Sequence, residues 1–324
     1  AHYGDLAYGE LRNTIQDVAS GDVPAQVGVE RALNHGRTGV SVSAMGYNLM
    51  TSLAQPLGLT QSVVRIGAKY VGRGVSRWVG DAFQMENTVK EIYEKSSAMR
   101  LRGKTQMREI NEVRNSFSLR GAVMGDVDDS YFYFIAKMQM VADVPTWLGG
   151  YEKAQDELSL DMDPKERETF AVAMADQAVI DAQGSGHIKD LAGIQRGSPF
   201  KKIFTVFYSF FNTTFNLFAE QKSQVDLKKP ADMGRFAADF LLLSTVPALL
   251  GFILKQAVKG NLGEDDEEEF AKKMVQEQLT YLMGTMVGVR EAAAAISGLR
   301  GYEGPAGTRF ISDAVKLSKQ VAQG

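Results

Sequence analysis

The sequence predicts an all-α protein, arranged as an extended multi-helix bundle with a central hydrophobic helical hairpin. Apolar residues recur at steps of three and four along almost the whole chain, which is the spacing of an amphipathic helix. No segment has the sustained two-residue alternation, bounded by turn residues, that indicates a strand. The lengths of the periodic segments predict roughly ten to thirteen helices.

The central hairpin is predicted from two uncharged segments, residues 203–219 and 240–254. The first segment carries phenylalanines at helical spacing and a polar, uncharged stripe on the opposite helix face. The phenylalanine stripe comprises Phe200, Phe204, Phe207, Phe211, Phe215 and Phe218, and the polar stripe comprises Thr205, Ser209, Asn212 and Asn216. Two interpretations are open: both segments are buried helices of a soluble bundle, or the hairpin enters a membrane or a larger assembly.

The membrane interpretation depends on length and on the flanking charges. As helices the uncharged segments span about 23–26 Å, slightly less than the roughly 30 Å of a hydrocarbon core. Lysines bracket both ends of the hairpin and could reach the headgroup layer, Pro247 predicts a kink, and Asp239 needs an interface or a partner. The predicted membrane or assembly contacts are Phe204, Phe207, Phe211, Phe215, Phe218, Phe240, Leu243, Leu249 and Phe252.

Composition narrows the class of protein. The chain has 324 residues, of which 44% are hydrophobic and 23% are charged, so disorder over most of it is not expected. A net charge of −3 argues against a dedicated nucleic-acid surface, and the absence of cysteine excludes disulfides and thiol chemistry. We predict an N-terminal helical region, 1–150, and a C-terminal helical region with the hydrophobic hairpin, 151–324. The softest boundary lies near residues 150–165, where Gly149, Gly150 and an acidic stretch intervene. The chain could also be one domain and a piece of a longer protein.

Local signals predict where the other helices begin and end. Pro56 to Gly58 should separate helices at about 40–54 and 59–79, and Asp163 with Pro164 should open a helix over 163–182. A charged helical segment covers 83–119, with a joint at 102–104 and basic side chains that fit a solvated face. Pro145 is expected to turn the chain toward Trp147. Further helices are predicted over 5–19 and 25–34, after the acidic run at 263–269, and over 305–322.

The sequence contains none of the common motifs of catalysis or metal binding. The three histidines are far apart, and no nucleophile elbow, phosphate loop or zinc pair occurs. Ser185 beside His187 fits an ordinary helix-ending loop better than a catalytic pair. Asp176 and Asp181 lie five apart on one predicted helix, without further support for acid–base catalysis. The sequence therefore predicts no catalytic residue, no metal site and no cofactor.

Two blocks of sequence resemble a known class of phage protein. One runs from Ser43 to Ser62, and the other covers Ala175–Gly186, Gln195–Gly197, Phe204–Asn212 and Asp239–Pro247. Together they are similar to a module of long phage polyproteins of the large polyvalent type, and to the internal virion proteins, also called ejection or pilot proteins, of podophages. The resemblance covers roughly residues 35–260 and includes no catalytic signature.

The resemblance implies a structural protein that is packed in the virion interior and then released into the host cell envelope, where it helps to form the conduit for genome delivery. Its implied partners are copies of itself, other virion proteins such as portal, tail or ejection proteins, the host membrane and, weakly, phage DNA, with no small-molecule substrate. The alternative is a non-catalytic scaffold module of a phage polyvalent enzyme, such as an antirestriction protein, a virion RNA polymerase or a murein-degrading polyprotein.

Overall fold

The computed structural model describes residues 8–9, 11–12, 15, 49–80, 85–105, 133–184, 208–226, 228–260 and 267–284. Within these ranges every regular element is helical and no strand occurs, so the prediction of an all-α fold is confirmed for them. The division into two regions, the hairpin and the extended bundle shape stay predictions. The helices are α1 (Leu49–Ala54), α2 (Leu59–Ile66), α3 (Ala68–Gly80), α4 (Met85–Lys95), α5 (Ser97–Thr105), α6 (Tyr133–Glu157), α7 (Pro164–Gln183), α8 (Tyr208–Gln224), α9 (Pro230–Phe240), α10 (Val246–Lys259) and α11 (Glu267–Gly284).

Helix α6 is the centre of the described structure, and it packs against both α3 and α7. Its residues from Ala142 to Gly150 are all buried. A cluster of buried side chains in the described structure includes Trp147, whose ring stacks on that of Tyr151 with 5.4 Å between centroids. Val144 and Leu148 of α6 belong to the same cluster, and neighbouring helices contribute Trp78, Ile92, Met99, Ala175 and Val179.

Pro145 does not turn the chain, contrary to the prediction. It lies inside α6, which continues from Tyr133 to Glu157. Proline removes one amide donor and crowds the carbonyl four residues earlier, which normally kinks or ends a helix. Because α6 is buried on every side around Pro145, tertiary packing outweighs the local preference here.

Gly149 and Gly150 also lie inside α6, where they allow close helix packing. A Cβ atom on Gly149 would lie 2.8 Å from the carbonyl carbon of Tyr70 in α3, and one on Gly150 would lie 3.0 Å from the Cβ of Ala178 in α7. Gly74 of α3 meets α6 in the same way, since a Cβ there would lie 2.9 Å from the amide nitrogen of Gly149. The two glycines near the predicted boundary therefore lie within one continuous helix. At these glycines α6 approaches α3 on one side and α7 on the other.

Several predicted helix ends agree with the structure. Residues Gln55–Gly58 form a 3₁₀ turn between α1 and α2, where the sequence predicts a break. The carboxylate of Asp163 caps α7 by accepting from the amides of Lys165 and Glu166, and Gly184 ends that helix with a φ of 71°. An additional break occurs at Gly67, whose φ of 92° is easily adopted only by glycine.

The joint predicted at 102–104 is wrong, and so is the solvated environment predicted for Arg102. Helix α5 runs through these residues, and the break falls earlier, at Ser96. The guanidinium of Arg102 donates to Asp143 of α6 at 2.7 and 3.1 Å, and the side chains are only 11% and 5% exposed. It also donates to the carbonyl of Gly184 at 2.5 Å, so one side chain joins α5, α6 and the end of α7.

Helices α9 and α10 are joined without a loop by a π-helical turn, Leu241–Thr245. In this turn the amide of Val246 donates to the carbonyl of Leu241, five residues back, and Pro247 follows in the first turn of α10. The kink predicted at Pro247 is thus replaced by a widened turn just before it. A wide turn accommodates the proline ring and its missing amide without ending the helix.

Candidate membrane-contact site

The residues predicted to contact a membrane or an assembly fall into three environments. Phe215 and Phe240 are exposed, Leu243 and Phe252 are buried, and the three others whose side chains are described, Phe211, Phe218 and Leu249, are half-buried. Phe218 of α8 packs against Phe240 at the end of α9, with 5.5 Å between ring centroids. This contact brings the two predicted segments together. Phe204 and Phe207 lie outside the described residues.

Helix α8 packs on the rest of the protein with a partly polar face. Its buried residues are Thr213, Thr214, Leu217 and Gln221, whereas Phe215 remains 45% exposed. A helix on the surface of a water-soluble protein normally has the opposite arrangement, with its aromatic stripe inward. The polar stripe predicted from the sequence includes Asn212 and Asn216, and Asn216 is exposed. The hydroxyl groups that face inward are those of Thr213 and Thr214, which are not part of that stripe.

Helix α10 is apolar on two faces. Ala248, Phe252 and Gln256 recur every four residues and are buried. Apolar side chains point outward from other positions on the helix, and three of them, Leu250, Ile253 and Val258, are each 44% exposed. Exposed apolar residues also precede them in α9 and the π turn, at Met233 and Leu241. A helix that is apolar on more than one face is typical of a helix surrounded by protein or by lipid.

The length and composition of the helix that runs through α9 and α10 also fit an environment of protein or lipid. Among the described residues, the helix Pro230–Val258 alone is long and apolar enough to cross a membrane. In its apolar stretch of 18 residues, 28% of the residues are buried inside the protein. A core helix of a soluble protein meets the same criteria of length and composition, but most of its residues are buried. The uncharged part, 240–254, spans about 23 Å at 1.5 Å per residue. Lys228 and Lys229 precede the helix, and Lys255 follows the uncharged part.

Polar side chains join α8 to the helices beneath it. The amide of Gln61 in α2 donates to the hydroxyl of Thr214 at 2.8 Å, and both residues are buried. Arg65, one turn further along α2, pairs with Asp181 of α7 at 2.7 Å and lies 3.9 Å from Glu220 of α8. Hydrogen bonds between helices through hydroxyl and amide groups are a common feature of helix packing in membranes.

The polar seam continues inside the protein between α2, α6 and α7. The hydroxyls of Ser62 and Thr146 are 2.6 Å apart, and the amide of Gln183 donates both to Ser62 at 2.8 Å and to the carbonyl of Gly58 at 2.9 Å. The sequence alone did not indicate these contacts. The signal available was a run of small and hydroxyl residues over 38–80, which suits close helix approach.

The structure separates the two carboxylates that were considered for acid–base catalysis. Asp176 accepts from the hydroxyl of Ser96 at 2.6 Å and from the indole of Trp147 at 2.7 Å, whereas Asp181 accepts from Arg65 and Gln177. They therefore belong to two different contacts between helices. No group of metal-binding side chains occurs in the part of the chain that the structure describes. Ser185 and the three histidines lie outside that part.

Burial raises the pKa of Asp176 above its ordinary value of 3.8, although the two hydrogen bonds oppose this shift. The folded protein therefore binds a proton at the Asp176 carboxylate more tightly than the unfolded chain does. The stabilising contribution of the protonated carboxyl is fully present below pH 3.8 and is lost as the pH rises through the raised pKa. We expect the wild type to lose stability relative to Asp176→Asn across this interval. Urea unfolding at a series of acidic pH values measures the difference, and a pH-independent difference would contradict the prediction.

The blocks of sequence that resemble phage internal virion proteins fall partly within the described helices. The first block reaches into α1 and α2, and the second includes the second half of α7, part of α8 and the junction of α9 with α10. Of the predicted contact residues that the structure describes, the second block contains Phe211, Phe240 and Leu243. No protein family, curated protein or solved structure matches the chain, so membership of that class stays a prediction.

Proposed function

We propose that this chain is a structural phage protein of the internal virion, or ejection, class, whose apolar helices enter the lipid bilayer of the host envelope during genome delivery. The observation that carries the membrane part is that Phe215 of α8 and Leu250 and Ile253 of α10 are exposed, whereas hydroxyl and amide groups of α8 face inward. The virion part is supported by the sequence resemblance. Other virion proteins and further copies of the chain are the proposed partners.

Transfer of the outward face into lipid is favoured by its composition. Complete burial of a leucine, isoleucine or phenylalanine side chain stabilises by about 1.5–3 kcal/mol, and Phe215, Leu241, Leu250 and Ile253 retain much of that area to bury. In hydrocarbon, the hydroxyl and amide groups need partners within protein, and they already face inward. The exposed apolar side chains and the inward polar groups therefore both fit an environment with lipid outside and protein inside.

One observation favours the second candidate, a non-catalytic scaffold module of a phage polyvalent enzyme. Leu243 and Phe252 are buried among protein side chains, as they would be in the core of a soluble protein. Under this alternative the outward face of α10 is covered by another part of a larger protein. The purified chain would then bind no vesicles.

Vesicle leakage with the full chain tests the proposal, and α10 offers a matched pair of variants. We expect Leu250→Asp to lower the free energy of unfolding by only about 1–2 kcal/mol, because Leu250 is 44% exposed and loses the packing of about half of its side chain. It should nevertheless abolish leakage, since a carboxylate inside the bilayer costs at least about 2.5–3.5 kcal/mol. Ala248→Asp should instead unfold the protein, because Ala248 is buried. Release of dye by Leu250→Asp at the wild-type rate, or no release by the wild type, would refute the membrane part.

A further inference from the structure

Helix α11 contacts both apolar helices. Phe270 packs on Phe252 of α10 with 5.1 Å between ring centroids, and Tyr281 packs edge-on against Phe211 of α8 at 5.7 Å. Between these ring contacts, the ammonium of Lys255 in α10 lies 2.7 Å from the carboxylate of Glu277. Three contacts therefore join α11 to the candidate membrane helices α8 and α10.

The charge of α11 is incompatible with the environment proposed for α10. The helix begins with three consecutive glutamates, and Lys272, Lys273 and Glu277 follow. Charged side chains are strongly disfavoured in hydrocarbon, so α11 cannot accompany α10 into a bilayer. Leu250, Ile253 and Val258, however, are exposed while α11 is in contact. The protein can thus meet a membrane surface before α11 moves, but α10 cannot cross the bilayer until it does.

We infer that α11 is a clasp, and that its separation from α10 converts surface binding into insertion. This inference rests on the proposed function and specifies how that function is regulated. Tyr281 of α11 is enclosed against α8, but the contacts of α11 with α10 are more exposed. Lys255 and Glu277 are 46% and 36% exposed, so salt screens their attraction, and Val275 and Leu279 of α11 are themselves exposed. Segments held by few buried contacts are the first to open in a native protein.

A reversible cross-link tests this order of events. The chain contains no cysteine, so Lys255→Cys with Glu277→Cys provides the only two thiols, both at exposed positions. A bismaleimide with a central disulfide joins α10 to α11, and a reductant releases them. We expect the linked protein to bind vesicles of anionic phospholipid as well as the unlinked variant, to release no dye, and to recover release when the linker is cleaved.

The matched control links two helices that the inference leaves in place. Lys69 of α3 and Asp156 of α6 form a similar exposed ion pair at 3.3 Å, so Lys69→Cys with Asp156→Cys accepts the same linker. This linked control should release dye at the wild-type rate. Release by the linked 255–277 variant at that rate would refute the clasp, and so would loss of its binding to vesicles. If the wild type itself releases no dye, it is the proposed function that fails.

Discussion

Arg102→Met is expected to destabilise the protein by about 3–5 kcal/mol, because it leaves a buried carboxylate without its counter-ion. Asp143 is 5% exposed and, among the residues that the structure describes, would keep only the hydrogen bond from Gln139, at 2.9 Å. The carbonyl of Gly184, at the end of α7, would lose its donor in the same substitution. Urea unfolding of the purified variant, followed by circular dichroism, measures the loss.

Two controls identify the cause of that loss. The double variant Arg102→Met with Asp143→Leu removes both charges and should regain much of the stability, since an apolar pair of similar volume can replace a buried ion pair. Lys69→Met removes one partner of an exposed pair and should cost at most about 1 kcal/mol. If Arg102→Met proves as mild as Lys69→Met, Arg102 does not hold the three helices together.

Gly74→Ala is expected to cost about 3 kcal/mol, at the upper end of the range for overpacked sites. The added methyl group would overlap the backbone of α6 at Pro145 and Gly149, and backbone atoms cannot yield as a flexible side chain does. Gly72→Ala, in the same helix, meets no atom within 4 Å and should instead stabilise by about 0.5–1 kcal/mol through helix propensity. Thermal unfolding of both variants gives the comparison, and a loss of equal size at both sites would contradict the packing argument.

The sequence predicted those parts of the fold that depend on neighbouring residues. Helical periodicity gave the class, and a proline, an N-terminal aspartate cap and a glycine gave the limits of α7 and the break after α1. The errors concern contacts between distant residues. Arg102 looked solvated because its partner, Asp143, is 41 positions away, and Pro145 looked like a helix end because nothing local indicates that α6 is buried on all sides.

For the candidate site, the sequence indicates which segments are apolar but not which face of each helix is exposed. Uncharged composition identified α8 and the helix through α9 and α10, and these helices do carry exposed apolar side chains. The face that each helix presents depends on what it packs against, which periodicity does not reveal. Helix α8 turns Thr214 inward, where Gln61 donates a hydrogen bond to it, and the π turn shifts the register of every residue after Thr245.

The π turn at Leu241–Thr245 also constrains how its helix can cross a bilayer. Pro247 supplies no amide hydrogen, so the chain of backbone hydrogen bonds is interrupted near the middle of the apolar stretch. Lipid tails offer no replacement, and each backbone group left without a partner there costs several kcal/mol. Leu243 and Ser244, within this turn, are fully buried against protein. This helix is therefore not expected to cross the membrane alone. It should cross beside another protein helix, with the π turn facing that helix and not the lipid.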